Sequence, residues 1–274
     1  MPLGKLQSHL LRLLASQRSP DSYVAGGIAI NRDGPRFSAD IDIFHDGDDR
    51  LAAIADSDAA LIAAAGFPVT WLSRQGTGKR ALLVTGLGEQ TRLEWVADAD
   101  FRFFPAQKDE LFGYVLHPAD LATNKASAAA DRRVPRDIVD LVTIHDRILP
   151  LGAVITAAVG RFPGMTPEEM LADIRRHGTF TAEEFQALAM ESPIDPRRMH
   201  KRIKAMLDAA GDFIALLPSE AVGLLFLDET GKPVQPDPAA PDHHRRHAGA
   251  RRGHWPSSSG IGTAMLERYG TPPP

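Results

Sequence analysis

The chain has 274 residues, 43% hydrophobic and 24% charged, with 31 basic residues against 35 acidic ones and a formal net charge of −4. This is globular composition. It excludes the overall basic excess typical of a nucleic-acid binder, though not a local basic patch. The absence of cysteine excludes disulfides, thiolate metal sites and cysteine nucleophiles.

In chain order, Leu6, Leu10, Leu13 and Leu14 recur at helical spacing and predict an amphipathic helix over 4–17. Ser19-Pro20-Asp21 breaks it. Tyr23-Val24-Ala25 is a short apolar run ending in Gly26-Gly27, followed by one or two helical turns over 28–32 and a turn cluster over 31–35. Ala39–Phe44 alternates strictly, Asp40 and Asp42 on one face and Ile41 and Ile43 on the other, which is a strand with an acidic and an apolar side. A helix is expected over 48–65, with Asp46-Gly47-Asp48-Asp49 at its start. Strands follow at Val69–Leu72, Arg80–Thr85 and Thr91–Val96, and Phe101–Phe104 with Tyr114–Leu116 is expected to form a further ribbon.

From Pro118 the pattern becomes helical: 119–131, then 135–148 with Pro135 at a first helical position. Thr166-Pro167-Glu168-Glu169 and Thr181-Ala182-Glu183-Glu184 each match a capping box. A longer helix over 196–216 carries the basic run Arg197, Arg198, Lys201, Arg202 and Lys204. From 228 the chain is rich in Pro, Gly, Arg and His, including His243, His244 and His247, and a disordered tail is expected. The division read from sequence is thus 1–117, 118–227 and 228–274. The first residues lack a signal peptide's apolar core, and the longest apolar stretches, such as Leu149–Val159, are too short to cross a bilayer. A cytoplasmic location, with no membrane contact, is expected.

The chemistry concentrates between Val24 and Phe44. Residues i and i+2 on a strand point the same way, so the Asp40 and Asp42 carboxylates converge and call for a cation. Mg²⁺ is held by one or two carboxylates plus substrate phosphates. Adjacent glycines, Gly26 and Gly27, let backbone N–H groups approach a phosphate, and Arg36 and Ser38 supply a guanidinium and a hydroxyl. Glu94 stands between apolar neighbours on a predicted strand. If that strand lies beside Ala39–Phe44, Glu94 completes the acidic set, as ligand to a second metal or as base for the attacking hydroxyl. Lys125 and Arg132, seven apart, share a helix face and both can reach an anionic ligand, so Lys125 is expected to hold phosphate with Gly26, Gly27 and Ser38. Asp137 opens the next helix, where its dipole favours a carboxylate.

Gly26-Gly27 followed by Arg36-Phe37-Ser38-Ala39-Asp40-Ile41-Asp42-Ile43-Phe44 resembles the nucleotidyltransferase signature of the DNA polymerase β superfamily, and its Arg-x-Ser-x-Asp-Ile-Asp form resembles the AbiEii/AbiGii toxin family. A second block is similar to the same family: His117 to Lys125, then Arg132, then Arg136-Asp137-Ile138-Val139-Asp140-Leu141. Together they cover roughly residues 20–148. The resemblance implies an α+β fold, a small mixed β-sheet flanked by helices with a C-terminal helical domain. It implies metal binding by Asp40 and Asp42, and assigns the family's lysine to Lys125 and its later acid to Asp137. Glu94 departs from the commoner Asp. The implied activity is transfer of a nucleoside monophosphate from an NTP, with Mg²⁺ or Mn²⁺, to an RNA acceptor, tRNA in particular, by a toxin with a cognate antitoxin. Two alternatives use the same residues: an antibiotic-type small-molecule nucleotidyltransferase, and a non-catalytic nucleotide-binding partner.

Overall fold

The computed structural model describes residues 3–74, 78–84 and 89–256. It divides into two compact units, residues 1–101 with 105–117, and residues 102–104 with 118 onward. The first unit holds helices α1 (Lys5–Leu14), α2 (Gly26–Ile30) and α3 (Leu51–Ala64). Its strands are β1 (Ser22–Ala25), β2 (Asp40–Asp46), β3 (Val69–Ser73), β4 (Gly78–Val84), β5 (Gln90–Asp98), β7 (Gln107–Asp109) and β8 (Gly113–Val115); the short β6 (Phe101–Arg102) marks where the chain passes between units. The seven strands form one sheet in the order β3-β4-β5-β2-β1-β8-β7. The β2–β5 and β1–β8 pairs are parallel and the other pairs antiparallel, so the sheet is mixed.

Alternation along β2 and β5 sorts the two sheet faces. Ile41, Ile43, Leu93 and Trp95 are buried in a cluster with Leu6, Leu10, Leu11 and Leu14 of α1 and Leu51, Ala55 and Ile62 of α3. Burying such side chains stabilises by roughly 1.5–3 kcal/mol each. Under this layer Arg18 Nη2 donates to both Asp58 oxygens at 2.5 and 2.6 Å, and Trp95 Nε1 donates to Asp58 Oδ2 at 2.7 Å, satisfying a carboxylate with no solvent exposure. The opposite face presents Asp40, Asp42, Arg92 and Glu94.

One expectation is corrected and another falls partly outside the described residues. Gly113–Val115 pairs with Gln107–Asp109 and with β1, and Phe101–Phe104 is not its partner in the ribbon. Asp109 sets that hairpin: its Oδ1 accepts from the Leu111 and Phe112 N–H groups, and Gly113 supplies the left-handed turn residue at φ +72°. In β4, expected over Arg80–Thr85, Thr85 lies outside the described residues.

The second unit contains α4 (Pro118–Asp131), α5 (Pro135–Arg147), α6 (Leu151–Ala158), α7 (Pro167–His177), α8 (Ala182–Gln186) and α9 (Pro196–Leu216). Every residue of α6 is buried, as expected of a helix with no polar face, and α4 and α9 pack against it. Both capping boxes form: Thr166 and Thr181 accept from Glu169 N and Glu184 N, while each glutamate accepts from its threonine's N–H. The tail expected to be disordered from 228 is instead ordered to 256. Strand β9 (Leu224–Leu227) lies between β10 (Pro233–Val234) and β11 (Arg245–Ala248). The apolar run Leu225–Leu227 is buried and offers two strand edges that the polar segment satisfies with its backbone. A boundary at 227/228 therefore cuts through a sheet; residues 257–274 of the expected tail lie outside the described residues.

Candidate active site

Parallel pairing of β2 with β5 puts Asp42 opposite Glu94 and Asp40 opposite Arg92. Paired residues share a face, so the expected third carboxylate does stand beside the acidic pair. Antiparallel pairing of β4 with β5 adds Arg80 opposite Glu94. One row across three strands thus reads Asp42, Glu94, Arg80. Arg80 Nε donates to Glu94 Oε1 at 2.7 Å, and Arg92 Nε lies 3.2 Å from Asp40 Oδ1. Asp40 is buried and Asp42 half-buried.

The glycines fit these side chains closely. Gly26 has φ +69°, and a β-carbon there would lie 2.7 Å from Asp42 Cγ and 3.0 Å from its Cβ. The Asp42 carboxylate therefore rests against the Gly26 backbone. A β-carbon on Gly27 would lie 2.5 Å from Arg36 Nη2 and 3.2 Å from Ser38 Oγ. The guanidinium, the hydroxyl and the acid meet around two residues without side chains. The loop carrying them is pinned: Gln7 Nε2 donates to Ser38 O at 2.7 Å, Thr91 Oγ1 to Ala39 O at 3.0 Å, and Ser38 Oγ to Asp40 O at 3.2 Å. Asn31 Nδ2 donates to Gly27 O at 3.0 Å and closes α2. Of the sequence candidates, Gly26, Gly27, Arg36, Ser38, Asp40, Asp42 and Glu94 are brought together in the first unit.

Lys125 and Asp137 belong to the second unit. The Lys125 ammonium lies 2.8 Å from Asp137 Oδ1 and 3.1 Å from Asp140 Oδ2, and Arg132 Nε donates to Asp137 Oδ2 at 2.8 Å. Burial alone would push Lys125 down, but Asp140 and Asp137 outweigh it and hold the ammonium above its ordinary value. Burial likewise opposes ionisation of Asp137, yet Lys125 and Arg132 hold its carboxyl below the usual range. The sequence placed Lys125 and Arg132 on one face toward an anion; within this unit that anion is Asp137.

Among the described residues, no three His, Cys, Asp or Glu side chains gather closely enough to hold a metal ion by themselves. Two aspartates on one strand face are the donor set that Mg²⁺ takes with a phosphorylated substrate, whose phosphate oxygens and water complete the shell. The residues present fit such an ion with its nucleotide.

The family profile described as nucleotidyl transferase AbiEii toxin, type IV toxin–antitoxin system, matches residues 9–219. The chain belongs to the AbiEii nucleotidyltransferase toxin family. It is accordingly a nucleotidyltransferase. Among solved structures, the AbiEii chain is similar in fold to MenT4, a nucleotidyltransferase toxin from Mycobacterium tuberculosis H37Rv. That match has a TM-score of 0.52 and 18% identity, over 78% of this chain and 83% of that one. A Thermotoga maritima CCA-adding enzyme complexed with tRNA aligns only at a TM-score of 0.25 and 13% identity, over 71% of this chain and 54% of that one. No curated protein matches the AbiEii chain in sequence. Among its described residues no helix is long and apolar enough to cross a membrane.

Sequence reading missed four members of this site. Arg92 was legible in principle, since it stands two residues from Glu94 on the same strand and must share its face. Arg80, Gln7 and Asn31 needed the strand register or the tertiary fold, and nothing local marks them.

Proposed function

We propose that this AbiEii chain transfers a nucleoside monophosphate from a nucleoside triphosphate to a hydroxyl of an RNA, with tRNA as the favoured acceptor, and that a cognate antitoxin restrains it. In this reading Asp40 and Asp42 hold Mg²⁺ or Mn²⁺ together with the triphosphate, and Glu94 completes the acidic set. The Gly26 and Gly27 backbone, Ser38 and Arg36 take phosphate oxygens. The acceptor oxygen bonds to the α-phosphorus, the bond to the β-bridging oxygen breaks, and pyrophosphate leaves. A bound divalent ion supplies neutralisation of charge on the attacking and leaving oxygens. Lys125 and Asp137 act by position, as a charge-balanced pair that fixes α4 against α5.

The observation that carries this reading is the Asp42 carboxylate seated on a left-handed glycine whose β-carbon would collide with it, with Arg36 and Ser38 converging on the next glycine. An exposed acidic strand needs no such fit. The test is incubation of the protein with Mg²⁺, total RNA and each NTP labelled at the α-phosphate. Label is expected in RNA with the wild type and not with Asp42→Asn. Folded wild-type protein that labels no RNA overturns the proposal; label on an added aminoglycoside instead favours the small-molecule acceptor. Induced expression of wild type and Asp42→Asn tests the toxin role, with slowed growth expected only for the wild type.

A further inference from the structure

Glu94 stands opposite Asp42 on the same sheet face, so an ionised Glu94 adds a third negative charge beside Asp40 and Asp42. The structure places a cation on that carboxylate. Arg80, opposite Glu94 on its other side, donates Nε–H to Oε1 at 2.7 Å; the Arg80 side chain is 56% exposed and that of Glu94 22%. The acid beside the expected metal pair therefore has its own internal counter-ion, as Asp40 has in Arg92. A metal ion and a guanidinium both bind a carboxylate through its lone pairs and its charge, so for Glu94 they compete.

We propose that Arg80 is a positioning residue that withholds Glu94 from the divalent ion and so lowers the site's metal affinity when no nucleotide is bound. The inference rests on the metal reading of Asp40 and Asp42 given above. In the free protein Glu94 faces Arg80. Ligation by Glu94 requires the Nε–H···Oε1 bond to open, and the freed, half-exposed guanidinium is then available to an anionic phosphate. Metal and nucleotide thereby favour each other's binding through this one side chain.

The test is Mn²⁺ binding to the full chain without nucleotide, followed by electron paramagnetic resonance of the free ion, with thermal unfolding to verify that each variant is folded. Arg80→Met is expected to bind Mn²⁺ roughly two- to five-fold more tightly than wild type, the scale that a half-exposed ion pair can withhold. Arg80→Lys, which keeps a cation, is expected near wild type and remains informative if the methionine variant does not fold. Arg80→Met made in an Glu94→Gln background is expected to change nothing, because the side chain it acts through has lost its charge. Unchanged affinity in Arg80→Met, or the same tightening with and without Glu94, overturns the inference. Asp42→Asn separates the two levels: if it loses Mn²⁺ while Arg80→Met equals wild type, only the Arg80 proposal fails, whereas Mn²⁺ bound normally by Asp42→Asn removes the metal reading and this inference with it.

Discussion

Replacing Gly26 by alanine would put a β-carbon 2.7 Å from Asp42 Cγ while forcing a left-handed backbone at φ +69°. The carboxylate has to move, and a displacement near 1 Å in a reacting constellation costs about 100-fold in rate. The backbone strain adds about 1–3 kcal/mol of destabilisation. Gly27→Ala is expected to be milder. Its β-carbon meets the far end of a flexible arginine, Arg36 Nη2, which withdraws and takes one charged hydrogen bond from the phosphates. That loss corresponds to roughly a ten-fold higher KM for NTP with kcat less affected. Steady-state kinetics on the two variants checks the contrast, and a Gly26→Ala enzyme as active as Gly27→Ala would refute the placement of Asp42. The glycine pair and the spaced aspartates are legible as sequence because both are local patterns. Which glycine lies under which side chain is not, since that depends on how the 31–39 loop folds back.

At the scale of elements, α4 and α5 are joined by charge as well as by apolar packing. Lys125→Met removes the ammonium that both Asp137 and Asp140 face, in a place where these side chains are 1% and 0% exposed. Breaking a buried pair from one side costs about 3–5 kcal/mol. The pH dependence follows from the shift directions. Lys125 is raised in the folded state, so its contribution is complete below the ordinary lysine value of about 10.4 and fades as pH rises through the raised one. Asp137 is depressed, so its contribution is complete above about 3.9 and fades as pH falls through the lowered one. Denaturant unfolding of Lys125→Met and wild type is therefore expected to give the same deficit at pH 5 and pH 9; a deficit that vanishes within that window contradicts the ion-pair account. The helices themselves were legible, from Pro135 and from two capping boxes that form as spaced. The partners of Asp137 were not: Arg133 and Arg136 are its sequence neighbours, but Arg133 reaches Glu184 and the Thr179 carbonyl. The partners that bind Asp137 are those the turn between α4 and α5 aims at it.

For the molecule as a whole, composition misled where it was read as disorder, because a polar segment can order by completing another segment's backbone and by lending one buried ring. His247, 3% exposed in β11, is that ring. It stacks on Phe104 at 4.6 Å between centroids, and its Nε2–H donates to the Phe103 carbonyl at 2.8 Å. The same short segment is held from its other side by Asp120, which accepts from Phe103 N at 2.7 Å and Phe104 N at 3.0 Å. The two anchors titrate in opposite senses. Burial pushes Asp120 up to about 7, against the pull of the two N–H groups, Arg102 and Arg161. Burial pushes His247 down to about 4, against the Phe103 carbonyl. Asp120 holds its proton more tightly folded than unfolded, so it lowers stability as pH rises from about 3.9 to about 7. His247 resists protonation when folded, so it lowers stability as pH falls from about 6.5 to about 4. Each slope is at most about 1.4 kcal/mol per pH unit, and between pH 4 and 6.5 they oppose each other. Removing one exposes the other: relative to wild type, Asp120→Asn is expected to lose stability on acidification through this range, and His247→Gln to lose it on going from pH 4 toward 7. Denaturant unfolding at pH 4.5, 5.5 and 6.5 reads both slopes, and two variants whose stabilities run parallel to wild type would show that Phe103 is not held between two titrating groups.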